Sequence, residues 1–130
     1  MKQPLQALLI SPDYKMRDAI HQHKKEITIR EGHRDYHEGP CWLVCHIVPW
    51  SVKVNITKIC HGLACGILKE EWEADGFTSY DDMIRGMKKY YPNFSNASAV
   101  TIIKWEKAEG YWVDNPDLYL ENFSDMNKVI

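Results

Sequence analysis

The stretch SVKVNITKI, Ser51 to Ile59, narrows the possible folds more than any other part of the chain. Val52, Val54 and Ile56 fall on one face and Lys53, Asn55 and Thr57 on the other. That is the period of a half-buried β-strand. Three further runs read as strands. EITIR (Glu26–Arg30) sets Glu26, Thr28 and Arg30 on one face and Ile27 and Ile29 on the other. CWLVCHIV is broken by Pro49. SAVTIIKWE places Val100 and Ile102 opposite Thr101, Ile103 and Trp105. Between SVKVNITKI and residue 77 the register blurs.

Two helices are predicted between these strands. The first opens at Ser11 as N-cap, with Pro12 in the first helical position and Asp13 in the first turn. Met16, Ala19 and Ile20 form its apolar stripe, and Lys24 and Lys25 suit the negative end of the helix dipole. The second has Ser79 as N-cap with Asp82 three residues on. Met83, Met87 and Tyr90 or Tyr91 line one side, and Pro92 stops it. Short strands with two main flanking helices predict an α+β domain, a small curled β-sheet or barrel.

Size and charge bound the function. A chain of 130 residues that is 45% hydrophobic, with five Trp and seven Tyr, fits one domain with a sizeable core. A net charge of −2 lacks the basic excess of a strong nucleic-acid binder, although a local basic groove is compatible with it. No apolar run approaches the ~20 residues that cross a bilayer, and the N-terminus does not read as a signal peptide. The expectation is a cytoplasmic monomer that uses no membrane.

The four cysteines occur as CWLVC and CHGLAC. Cys41, Cys45, Cys60 and Cys65, with neighbouring histidines, have a spacing that zinc accepts. Alternation along CWLVC instead puts Cys41, Leu43 and Cys45 on one buried face, where Cys is a small hydrophobe. The packing reading is adopted, with neither metal nor cofactor expected. His33 and His37 in HRDYH read as part of a polar loop.

The order HKKEITIR, a second strand after EG, SVKVNITKI, DGFTS opening a helix, YYP and then VTIIKW resembles the ASCH family. These are small proteins with a PUA-like RNA-binding barrel. The resemblance spans about residues 12–106 and leaves 107–130 as a C-terminal extension. Its apolar side chains Tyr111, Trp112, Leu118, Tyr119 and Phe123 are expected to pack back on the barrel.

Within the family the pattern is nearest to the small bacterial N4-acetylcytidine amidohydrolases. The resemblance implies a catalytic lysine and threonine at Lys25 and Thr28, with Arg30 following. It implies an acid at Asp75, or at Glu73 two residues earlier, where the family carries glutamate. His23 stands where the family often has glycine.

An alcohol such as Thr28 becomes a nucleophile only when a neighbour takes its proton, and Lys25 would have to be neutral to do so. The alternative is a module that binds RNA or a modified nucleoside without chemistry. There Lys24, Lys25, Arg30 and Arg34 would form a cationic rim, and Trp42, Trp50 or Tyr36 would be stacking surfaces. Glu26 faces the same mouth by alternation. Some ASCH relatives act as ribonucleases, which gives a third reading.

Overall fold

A computed structural model describes residues 6–10, 14–45 and 50–112. Its elements run β1 (Ala7–Leu9), α1 (Tyr14–His21), β2 (Ile27–Glu31), β3 (Gly39–Cys45), β4 (Trp50–Leu63), a 3-10 turn (Ala64–Gly66), α2 (Lys69–Ala74), α3 (Tyr80–Tyr90) and β5 (Ala99–Trp112). The five strands form one curled half-barrel sheet in the order β1-β3-β4-β5-β2. β1 pairs parallel to β3, and the other pairings are antiparallel. The architecture is α+β, as the alternating runs predicted. The N-cap expected at Ser11 and the packing of the tail's apolar side chains lie outside the described residues.

Two apolar clusters hold the sheet. One gathers Leu8, Ile20, Cys41, Leu43, Val52, Val54, Ile56, Ile103 and Trp105. The other gathers Ile27, Ile29, Met83, Met87, Phe94, Val100 and Ile102. β5 therefore feeds both clusters from its two faces, with the split the alternation predicts. Period-two burial also holds along β3, where Cys41, Leu43 and Cys45 are buried.

β4 explains why the sequence lost its register. From Trp50 to Ile56 the even-numbered residues enter the first cluster. The pairing with β5 slips between Ile56 and Lys58. Beyond that slip Ile59 packs on the first cluster and Cys60 on the second. An extra residue in one strand exchanges its faces, so a continuous strand reads as a broken one.

α3 starts as expected, with the Ser79 hydroxyl accepting a bond from the Asp82 amide at 3.0 Å. The Asp82 carboxylate reaches the Thr78 amide at 3.0 Å and the Thr78 hydroxyl at 3.2 Å. Met83 and Met87 are buried, and Tyr90 is exposed. Gly86 leaves room for the Phe77 ring, since a Cβ there would stand 2.5 Å from it. That contact seats the turn between α2 and α3.

Candidate functional site

Two helix ends place the charged centre of the site. After α1 the His23 amide donates to Ile20 O at 3.1 Å and the Lys24 amide to Ala19 O at 2.8 Å. This is a Schellman motif, whose turning residue adopts a left-handed backbone. His23 holds that place with φ 59°, at the position where glycine would be the ordinary choice. The chain then delivers Lys25 to the start of β2. After α2 the pattern recurs. The Gly76 amide donates to Glu73 O and the Phe77 amide to Trp72 O, both at 2.9 Å, with φ 104° at Gly76. Asp75, the last residue before that turn, points back toward β2.

Lys25 and Asp75 meet there as a buried ion pair. Lys25 is 6% exposed, and its Nζ also donates to Ile27 O at 2.9 Å. The Asp75 carboxylate accepts the Ile29 amide. Burial pushes the Asp75 carboxyl above its ordinary range, while Lys25, then Arg30, pull it back. A carboxyl so placed holds a proton more readily than one in water, which suits proton transfer.

Beside the pair lies a cavity of about 310 Å³ between the two edge strands of the half-barrel. Leu9 of β1 and Ile10 just after it line it, with Thr28 and Arg30 from β2 and Tyr90 and Tyr91 from the end of α3. Its volume is at the lower end of small-molecule sites, about 300–1,000 Å³. Arg30 spans the seam: Nη2 donates to Leu9 O at 2.6 Å, and Nε donates to Thr28 Oγ1 at 3.2 Å. Thr28 is 7% exposed. A cationic donor on its hydroxyl oxygen favours negative charge there.

The remaining residues singled out from the sequence lie elsewhere. Glu73 is exposed on α2, 3.6 Å from Lys69. Glu26 precedes β2, and with Lys24 it lines a separate cleft beside Glu70, Glu71 and Lys104. The Arg34 guanidinium sits 5.9 Å from the centre of the Tyr91 ring and donates to Glu31 O. Lys24 and Arg34 thus do not line the seam cavity that Lys25 and Arg30 line, although Arg34 sits against its Tyr91.

Trp50 is buried and donates to His21 Nε2 at 2.7 Å, Tyr36 packs on the first cluster, and Trp42 is half-buried. The cavity takes its aromatics from Tyr90 and Tyr91 instead, which the sequence offered only as a helix stripe. His33 stacks on His61 with ring centres 3.7 Å apart, whereas the His37 amide turns to Gln6. Cys41 and Cys45 are buried, Cys65 is exposed, and burial raises the Cys41 thiol to about 11. Among the described residues no three metal-ligating side chains gather, and no helix is long and apolar enough to cross a membrane.

No protein-family model and no curated protein matches the chain. Solved structures do. The chain is similar to the crystal structure of ASCH from Zymomonas mobilis, with TM-score 0.60 and 15% identity over 89% of this chain and 76% of that one. It is similar to the serine-to-alanine mutant of the same protein, with TM-score 0.64 and 13% identity over 89% and 76%. The tyrosine-to-phenylalanine mutant gives TM-score 0.61 and 15% identity over 89% and 78%. At these identities the likeness shows the fold, and that fold is the PUA-like ASCH fold.

Proposed function

We propose that this ASCH fold is an amidohydrolase that takes an N4-acylated cytidine, free or in RNA, into the seam cavity and cleaves its amide. The observation that carries the reading is the buried Lys25–Asp75 pair lining one cavity with Thr28. The apolar lining suits a base and a small acyl group, with few polar groups to orient them.

Thr28 Oγ1 attacks the acyl carbonyl, and its proton passes to Lys25 Nζ. The amine is free to accept it in the form of the pair whose shared proton rests on Asp75. Asp75 then protonates the departing N4 as the C–N bond breaks. The acyl group stays on Thr28 as an ester, and the amino base leaves. A water attacks that ester and gives its proton to the pair. The Thr28 oxygen takes a proton back as its bond to the acyl carbon breaks, and a carboxylic acid departs. Arg30 steadies the charge on the threonine oxygen.

A second reading rests on Tyr90, which is 65% exposed and lines the cavity. An exposed ring at a cavity is a stacking surface for a base, and such a site holds a modified base without chemistry. A panel of acylated nucleosides incubated with the purified protein and read by chromatography separates the two. Release of cytidine supports the hydrolase. Inert substrates that bind nonetheless support the module.

A further inference from the structure

A second cavity, of about 390 Å³, lies behind the ion pair, between α1 and the end of α2. It shares three residues with the seam cavity: Met16, Lys25 and Asp75. These three are therefore the partition between the chambers. The linings differ in balance. Besides Thr28 and Arg30, the seam side is lined by Leu9, Ile10, Ile29, Met87 and two tyrosines. The rear side carries Lys15, Lys24 and Glu73, with Ala19, Ala74 and Gly76 as its small residues. A ligand seated in the seam displaces the water there, whereas the charged groups of the rear chamber still supply the two to four polar partners that a water needs.

The consequence concerns access. Lys25 is 6% exposed, and a ligand seated in the seam closes that route to it. We infer that the rear chamber is the solvent door of the Lys25–Asp75 pair, admitting the hydrolytic water and exchanging protons while the seam is occupied. Ala19 on α1 and Ala74 on α2 keep the door open by their small size. Gly76 adds to this, because a Cβ there would meet nothing within 4 Å. The role as a water door rests on the amidohydrolase reading, whereas the route itself is a property of the fold.

The test uses the full chain and reads the route without turnover. Reductive dimethylation of Lys25 with formaldehyde and a borohydride is followed by peptide mass spectrometry. It is run on the wild type, on Ala74→Trp, which fills the rear chamber from an exposed position, and on Leu9→Trp, which covers the seam from another. Thermal unfolding by circular dichroism selects folded samples, with Ala74→Leu as the smaller plug. With the seam covered by Leu9→Trp, the expected result is a tenfold or greater slowing at Lys25 when Ala74→Trp or Ala74→Leu is added, against Leu9→Trp alone. Equal rates with and without the Ala74 plug overturn the door. If an acylated cytidine is hydrolysed, Ala74→Trp should release the first equivalent of amine at the wild-type rate. It should then stall with the acyl mass on Thr28, and unslowed steady turnover overturns the water role. If no substrate is hydrolysed, the amidohydrolase reading and the water role fall together, and the labelling still decides the route.

Discussion

Lys25→Met is the sharpest test of the buried pair. The variant keeps the length of the side chain and removes its charge and its bond to Ile27 O. Removing one partner of a buried ion pair typically destabilises a protein by about 3–5 kcal/mol, because the other charge is left without compensation. Here that other charge has an escape, since Asp75 can take up a proton. In the wild type, burial already outweighs the pull of Lys25 and Arg30 and holds the Asp75 carboxyl high. Without Lys25 it rises further. A carboxyl whose folded value is raised contributes stability that is fully present below its unfolded value, about 3.9, and is lost as pH rises through the folded value.

The deficit of Lys25→Met relative to wild type should therefore be largest in mild alkali. It should shrink by up to about 1.4 kcal/mol per pH unit as the solution is acidified. A floor of about 1 kcal/mol remains from the lost bond to Ile27 O. Urea titrations at about pH 8 and about pH 5 measure it. At an m-value of about 2 kcal/mol/M the midpoint at the higher pH should fall by on the order of 2 M, with much of that recovered at the lower. A deficit that is flat across this range, or that grows toward acid, refutes the reasoning. Either would mean that its partners hold the Asp75 carboxyl low.

Other outcomes follow from the same geometry. Thr28→Ala should abolish the proposed amide hydrolysis and cost only about 1 kcal/mol, the worth of its bond with Arg30. Ile29→Ala should lose about 2–5 kcal/mol through a cavity in the second cluster, as urea unfolding will read. His23→Gly should raise the unfolding midpoint, because a left-handed backbone costs a non-glycine residue about 1–2 kcal/mol, only part of which glycine forfeits as chain entropy. If RNA binds, log affinity against log salt should have a shallow slope, near −1 to −2 at about −0.7 per phosphate contact, because Lys24 and Arg34 do not line the cavity. A slope near −3 would restore the four-residue rim.

Much of the framework was legible because it rests on short-range periodicity. Val52, Val54 and Ile56, the alternation of β3 and the Ser79 cap all follow from neighbours in sequence. What was missed was too short or too irregular to carry a period. β1 has three residues, α2 has six, and the second half of β4 lies beyond a slip that exchanges its faces.

The site divides in the same way. Lys25 and Thr28 sit in one motif and could be named. The choice between Asp75 and Glu73 turns on where α2 ends. Near the end of the helix Glu73 presents its side chain outward toward Lys69, whereas Asp75 at the turn meets Lys25. Leu9, Tyr90 and Tyr91 reach the cavity through the curl of the sheet and the packing of α3, which no local pattern encodes.

The curl has a further consequence for solubility. A sheet that does not close leaves two edge strands, and each offers unpaired backbone groups to another chain. On β2 the outward-facing groups include Ile27 C=O and Ile29 N–H, and the ion pair answers both: Lys25 donates to the first and Asp75 accepts from the second. On β1 the Leu9 carbonyl is taken by Arg30. The charged residues of the site thus occupy the place of a missing sixth strand. A neutralised pair would free the β2 edge to recruit one from a neighbouring molecule, so variants made to test the proposed chemistry are also the ones most exposed to aggregation.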